Sequence, residues 1–281
     1  MTMKIKQTII FLFILLISAG IQAQTEHSYT VIGTKGSVSS KKAGKQLQSG
    51  DVITGAEDEF TFKDEKDMAG LIRDDGRRFV LLNRKEKRNY TCPMEKAIMI
   101  GKTRVEWKNL TIKTLEELQQ LLSEVPFIFL DSVAKIKLDQ KTFPQNGKNF
   151  FYFEYKWKNP KGKTEEIPKK LQFKKDTLIM KQANIFKVDN SPVDPKDVSD
   201  FKMLYMNGGD PVLIGNFNVL FPDAEKMKNE IGILVRTQQK VNFSAKMIQG
   251  EVEAYIRQFY GSIDRLNLVN YLKNNFGVPE K

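Results

Sequence analysis

The residues that most restrict the fold are Phe151 to Lys158 (FYFEYKWK), where polarity alternates with a period of two. Phe151, Phe153, Tyr155 and Trp157 share one face of an extended chain, while Glu154, Lys156 and Lys158 share the other. Successive side chains of a strand point to opposite sides of a sheet, so this segment predicts a strand with one buried and one wet face. The lysines point away from the rings, which favours a β-sandwich core over a stacking platform for sugars or bases. Asn159-Pro160-Lys161-Gly162 turns the chain, and Leu171-Gln172-Phe173 is expected to return beside it.

Composition permits such a core and narrows how it is held. The 281 residues are 41% hydrophobic and 28% charged, as in ordinary folded proteins. The single cysteine, Cys92, excludes an internal disulfide. Preceding Pro93, it reads as a small buried apolar residue, with an intermolecular bridge as the sharper alternative. With only one histidine as well, His27, a zinc site built from several cysteines and histidines is excluded. A Ser-His-Asp or Cys-His nucleophile would depend on His27 alone, close to the start of the mature chain. No catalytic, cofactor-binding or metal-ligating residue is predicted.

Lys4 and Lys6, the apolar run Ile9 to Ile17, and Ser18-Ala19-Gly20-Ile21-Gln22-Ala23 have the layout of a secretory signal peptide cleaved after Ala23. The apolar run is about half of the roughly 20 residues needed to cross a bilayer. A periplasmic or secreted chain is expected, with no integral membrane segment after cleavage. Formal charge is +11, or +9 once Lys4 and Lys6 are set aside. Nucleic acid is the usual partner for such a balance. Export argues against it, and anionic envelope polymers or envelope proteins suit the compartment better.

Residues 28–83 read as short strands and turns. Tyr29 to Ile32 is a strand ended by Gly33 and Gly36. Leu47, Val52 and Ile53 supply apolar anchors around a Ser49-Gly50-Asp51 turn, and Phe60-Thr61-Phe62 alternates. Asp74-Asp75-Gly76 joins two apolar runs, Gly70 to Arg73 and Arg77 to Leu82, in a hairpin. The segment LQSGDVIT (Leu47 to Thr54), with Asp75-Gly76 ahead of Phe79-Val80-Leu81, resembles the FecR-like domain of periplasmic ferric-citrate regulators. The resemblance covers residues 28–83 and implies a protein-contact or envelope-binding module rather than an enzyme. Those regulators carry a cytoplasmic segment before a membrane helix, whereas only Met1 to Lys6 precede the apolar run here.

The expected layout is α+β: a signal peptide (1–23), a small all-β FecR-like domain (24–84), a helical connector (85–126), and a β-rich α+β domain (127–281) ending in a helical hairpin. Pro93 is expected to start a short helix through Met99. Thr114 and Glu117 form a capping box for Leu115 to Val125, with Leu115, Leu118, Leu121 and Leu122 on one face. Ser244 is expected to cap Met247 to Phe259, Ser262 to cap Ile263 to Asn275, and Gly277 to close the last helix.

Weak catalytic signals remain. Ser39 with Lys42 and Ser132 with Lys135 match Ser-x-x-Lys, but neither begins a helix, Ser199-Asp200 lacks a following Asn, and no Lys-Thr-Gly occurs. Asp64-Glu65 and Asp74-Asp75 would suit a glycosidase only across a cleft. Gly208-Gly209 reads as a turn, since it lacks phosphate-loop spacing. Asp131-Ser132-Val133 and Asp176-Thr177-Leu178 resemble a bacterial O-glycosylation acceptor, although strand starts explain them as well. The reading is an exported, non-enzymatic envelope accessory protein that binds envelope proteins or anionic surface polymers. The alternatives are an envelope hydrolase using carboxylates or Ser-Lys, and a periplasmic ligand sensor.

Overall fold

The computed structural model describes residues 27–55, 58–83, 89–94, 98–99, 111–123, 126–130, 132–216, 219–220 and 222–280. The expected signal segment lies outside them, as does Asp131. Strand residues (41%) exceed helical ones (27%), and the fold is α+β and β-rich.

The N-terminal strands are β1 (Ser28–Lys35), β2 (Val38–Ser40), β3 (Lys45–Gln46), β4 (Val52–Thr54), β5 (Glu59–Phe62), β6 (Met68–Arg73), β7 (Arg78–Leu82), β8 (Tyr90–Pro93) and β9 (Ile98–Met99). They form two sheets, ordered β4-β1-β6-β7-β9 and β3-β2-β5-β8. Val31, Leu71 and Leu81 pack with Phe60, Phe62 and Cys92 in one core. Ile32 and Ile72, on the opposite face of the first sheet, belong to a different core made with C-terminal helices. That sheet is buried on both sides, which is why Val31-Ile32 and Leu71-Ile72 are consecutive apolar residues rather than alternating ones.

Four expectations change here. The first strand does not stop at Gly33 but passes through a bulge to Lys35. Val52 is no anchor, being 62% exposed on an edge strand, while Leu47 and Ile53 are buried. Pro93 ends β8 instead of starting the expected helix, and Met99 belongs to β9 with Ile98, while residues 95–97 between them lie outside the described residues. Strands β8 and β9 pair with β5 and β7, so this β-unit extends past residue 84 into the expected connector.

The connector contributes β10 (Thr111–Ile112) and α1 (Leu115–Ser123). The Thr114 hydroxyl accepts from the Glu117 amide, and the Glu117 carboxylate accepts from the Lys113 amide. The second β-unit adds β11 (Phe127–Ile128), β12 (Val133–Leu138), β13 (Phe150–Lys158), β14 (Thr164–Lys170), β15 (Gln172–Lys174), β16 (Thr177–Lys181), β17 (Lys187–Val188), β18 (Ser191–Pro192), β19 (Val198–Asn207), β20 (Asp210–Asn216) and β21 (Val219–Leu220), with a single-turn helix α2 (Gln182–Ile185). Sheets β14-β13-β19-β20 and β10-β12-β16-β15 enclose Phe151, Phe153, Tyr155, Met203, Ile136 and Met180, with Leu118 and Leu122 of α1 closing the core. Strand β13 obeys the alternation. Its return partner is β14, whereas Gln172–Lys174 crosses to the other sheet and pairs with β16.

The C-terminal set has three helices rather than two: α3 (Ala224–Lys240), α4 (Ala245–Phe259) and α5 (Arg265–Phe276). Asp223 caps α3 by accepting from the Lys226 amide, and Ser244 caps α4 by accepting from the Met247 amide. Asp264, not Ser262, caps α5. Gly277 closes α5 in the left-handed conformation.

Candidate functional site

The helical set bridges the two β-units. It packs against β1 and β6 of the N-terminal unit and also covers Ile128 and Leu130 of the second unit. Hydrophobic burial supplies most of that association, and the polar groups within it fix its geometry.

The seam with the first unit is built on two glycines. Gly33 on β1 stands opposite Gly70 on β6 in register. A Cβ on Gly33 would lie 2.5 Å from Tyr255 Oη and 2.6 Å from Glu230 Cδ, and one on Gly70 would lie 3.0 Å from Phe259 Cζ. The missing side chains leave a flat spot where α4 lays its rings and α3 inserts a carboxylate. Glu230 is 1% exposed. Its Oε2 accepts from the hydroxyls of Tyr255 (2.9 Å) and Tyr260. Its Oε1 has no hydrogen-bond partner among the described residues, although Lys226 Nζ stands 4.0 Å away and Ser49 faces the carboxylate. Burial raises the Glu230 pKa against the pull of those hydroxyls and Lys226, and it raises both tyrosines as well.

Beside this cluster, Arg78 of β7 is 2% exposed. Its Nε donates to Glu251 Oε2 at 3.2 Å and its Nη1 to Gln258 Oε1 at 2.9 Å, both on α4. Burial lowers the Arg78 pKa and Glu251 opposes that shift.

The seam with the second unit is closed by backbone mimicry. The Asn267 side-chain amide accepts from Lys135 N (2.9 Å) and donates to Lys135 O (3.2 Å), as a neighbouring strand would. Ser262 exchanges backbone bonds with Ile128 and Pro126, and its hydroxyl donates to Leu121 O. Asp264, 6% exposed, accepts from Asn267 N at 3.1 Å. Burial, aided by nearby Glu253, pushes its pKa up to about 7 against the backbone donors of the α5 N-terminus.

This predicts a pH effect. Asp264 binds its proton more tightly in the folded chain, so its folding penalty is absent below the unfolded pKa, 3.8, builds as pH rises from there to about 7, and stays at its full size above that. Full ionisation corresponds to about 4 kcal/mol. Asp264→Asn keeps a capping oxygen. Its melting temperature is expected to match the wild type near pH 4 and to exceed it by several degrees at pH 8.5, measured by calorimetry. An unchanged difference across that range would refute the assignment.

The structure does not assemble the residues of the weak catalytic motifs into one site. Ser39 lies on β2, and Ser132 precedes β12 with φ 59°. Asp74 accepts from His27 and the Ser28 amide, and Asp75 pairs with Arg73 and Arg77 around the hairpin turn. Asp64 lends its backbone to a turn closed by the buried Asp67. Gly208 and Gly209 form the β19–β20 turn with positive φ. Cys92 is buried against Phe60, so an intermolecular bridge would require local opening. In the resembling segment, Asp51 accepts from Gln48 N and Lys45 Nζ, and Gly50 has φ 94°. Lys45 holds the Asp51 carboxyl below its usual range.

One shallow depression of about 590 Å³ is lined by Thr111, Lys113, Leu138, Asp139, Gln140, Lys141 and Asp176. Its charged groups stand at the solvent edge, where Asp176 pairs with Lys137. Among the described residues no helix is long and apolar enough to cross a membrane, and no group of three or more His, Cys, Asp or Glu is placed to hold a metal. Compared with protein-family models, curated proteins and solved structures, the chain matches none.

The sequence reading missed Glu230, Arg78, Tyr255 and Tyr260. Isolated glycines inside apolar strands, Gly33 and Gly70, were the available signal that another element approaches closely.

Proposed function

We propose that this chain is an exported, non-enzymatic accessory protein of the cell envelope that works by binding a partner, and that its N-terminal β-unit is FecR-like. The observation that carries the reading is the engagement of its deeply buried ionisable groups. Arg78 pairs with Glu251 across the seam with the first β-unit, Glu230 ties α3 to Tyr255 and Tyr260 where they meet that seam, and Asn267, held by Asp264, bonds Lys135 of the second unit. The helices thereby hold two β-units at a fixed relative placement, as suits a scaffold that presents sheet faces and loops. The positive charge favours acidic or anionic partners.

The test incubates the chain from residue 24 with envelope extract, peptidoglycan and lipopolysaccharide, each titrated separately. Sub-micromolar binding to at least one of them, weakened by salt, is expected. Binding to none would remove the proposal. Peptidoglycan cleavage abolished by Ser39→Ala or Ser132→Ala would replace it with a hydrolase.

A further inference from the structure

The outer face of the β14-β13-β19-β20 sheet is half ordinary and half not. Side chains directly opposite in antiparallel strands share a face. The face turned away from the core therefore carries Phe150, Tyr152, Glu154, Lys156 and Lys158 of β13, and Lys170, Pro168, Glu166 and Thr164 of β14. From β19 and β20 it receives Lys202, Leu204, Met206, Asn216, Leu213 and Pro211. At one end the residues are charged and matched, with Lys156 to Asp200 at 2.7 Å and Lys202 to Glu154 at 3.5 Å.

At the other end the alternation fails. Phe150 and Tyr152 lie with ring centroids 5.9 Å apart, Leu204 stands opposite Leu213, and Met206 stands opposite Pro211. Leu213 is 47% exposed, one of two large hydrophobic side chains this open among the described residues. A sheet with one wet face should be polar here, and a contiguous apolar patch on that face marks an interaction surface. Lys170 sits at its border with Nζ 4.1 Å from the Phe150 ring centre. Lys202, 3.5 Å from Glu154 and also within reach of the Asp200 charge, sits at another.

We infer that this half-sheet docks an acidic protein segment, which lays apolar side chains over Phe150, Tyr152, Leu204 and Leu213 and brings carboxylates to Lys170 and Lys202. Charge complementarity selects that occupant. A second copy of a chain with formal charge +9 from residue 24 onward would bring Lys170 and Lys202 against like charge. The inference rests on the binding role proposed above and names its surface.

The probe is a labelled twelve-residue peptide alternating Glu with Leu and Phe, compared with its Lys-for-Glu counterpart and with phosphatidylglycerol vesicles. Anisotropy titrations use the chain from residue 24. Micromolar binding of the acidic peptide is expected, weakening with salt and absent for the basic peptide. Leu204→Ser with Leu213→Ser, and separately Lys170→Glu, should each weaken it at least tenfold, while Val52→Ser leaves it unchanged. Equal binding of both peptides, wild-type affinity in the patch variants, capture by vesicles alone, or dimerisation through this face by sedimentation would each overturn the inference. If patch variants keep wild-type binding to envelope components, the surface is wrong and the binding role stands. If the wild-type chain binds no envelope component, the role itself fails.

Discussion

Gly33→Ala is expected to lower the melting temperature by roughly 10 °C, although it adds a single methyl group to a strand. The new carbon would lie 2.5 Å from Tyr255 Oη and 2.6 Å from Glu230 Cδ, inside contact distance for both. Neither can step aside cheaply. The carboxylate is bonded to two tyrosine hydroxyls, and the Tyr255 ring is fully buried and stacked on Phe259 at 4.6 Å. Overpacking a core costs about 1–3 kcal/mol, and breaking buried hydrogen bonds to a carboxylate adds a similar amount. At about 2–4 °C per kcal/mol for a chain of this size, that gives the expected shift. Gly147→Ala serves as control, because a Cβ there meets nothing within 4 Å. Pairing Gly33→Ala with Glu230→Ala should recover part of the loss, since one of the two obstacles is gone. Wild-type melting in Gly33→Ala would mean that α3 and α4 do not approach β1 as described.

Much of the fold was legible because it depends on local pattern. The alternation of Phe151 to Trp157 gave the central strand and its buried face, and Asp74-Asp75-Gly76 gave a hairpin with Gly76 at φ 81°. Helix α3 was not read from the sequence, although Asp223 is a good cap and Met227, Ile231 and Leu234 have helical spacing. The run Ile231-Gly232-Ile233-Leu234-Val235 hid it, because all five residues are buried and such a run lacks a polar face in either period. The same ambiguity affected β1, where both faces are covered and Gly33 looked like a stop. The seam was beyond local reading altogether. Arg78 and Glu251 are separated by 173 positions, and an arginine beside the Asp-Gly turn looks like any exposed turn residue. Nothing in sequence spacing shows that a helix from the far end of the chain will cover it.

Arg78→Ala is the second large effect, and the way it combines with changes at Glu251 separates an ion pair from simple packing. Removing the guanidinium leaves Glu251, 8% exposed, and Gln258 facing an empty, water-poor space. Breaking a buried pair from one side costs about 3–5 kcal/mol, chiefly because the remaining charge stays buried without that counter-ion. A fall of roughly 10 °C is therefore expected for Arg78→Ala. Glu251→Ala strands the cation instead and should cost a comparable amount. Arg78→Met with Glu251→Leu fills the volume and removes both desolvation penalties. It should melt within a few degrees of the wild type, because replacing both members of a buried pair by apolar groups is often nearly neutral. A double-mutant cycle on the alanine variants should give a coupling of about 1–3 kcal/mol. Additive losses, with no recovery in the apolar double variant, would show that Arg78 acts through its packed stem alone. In that case the charge at the seam would have no part in docking the helices onto the N-terminal sheet.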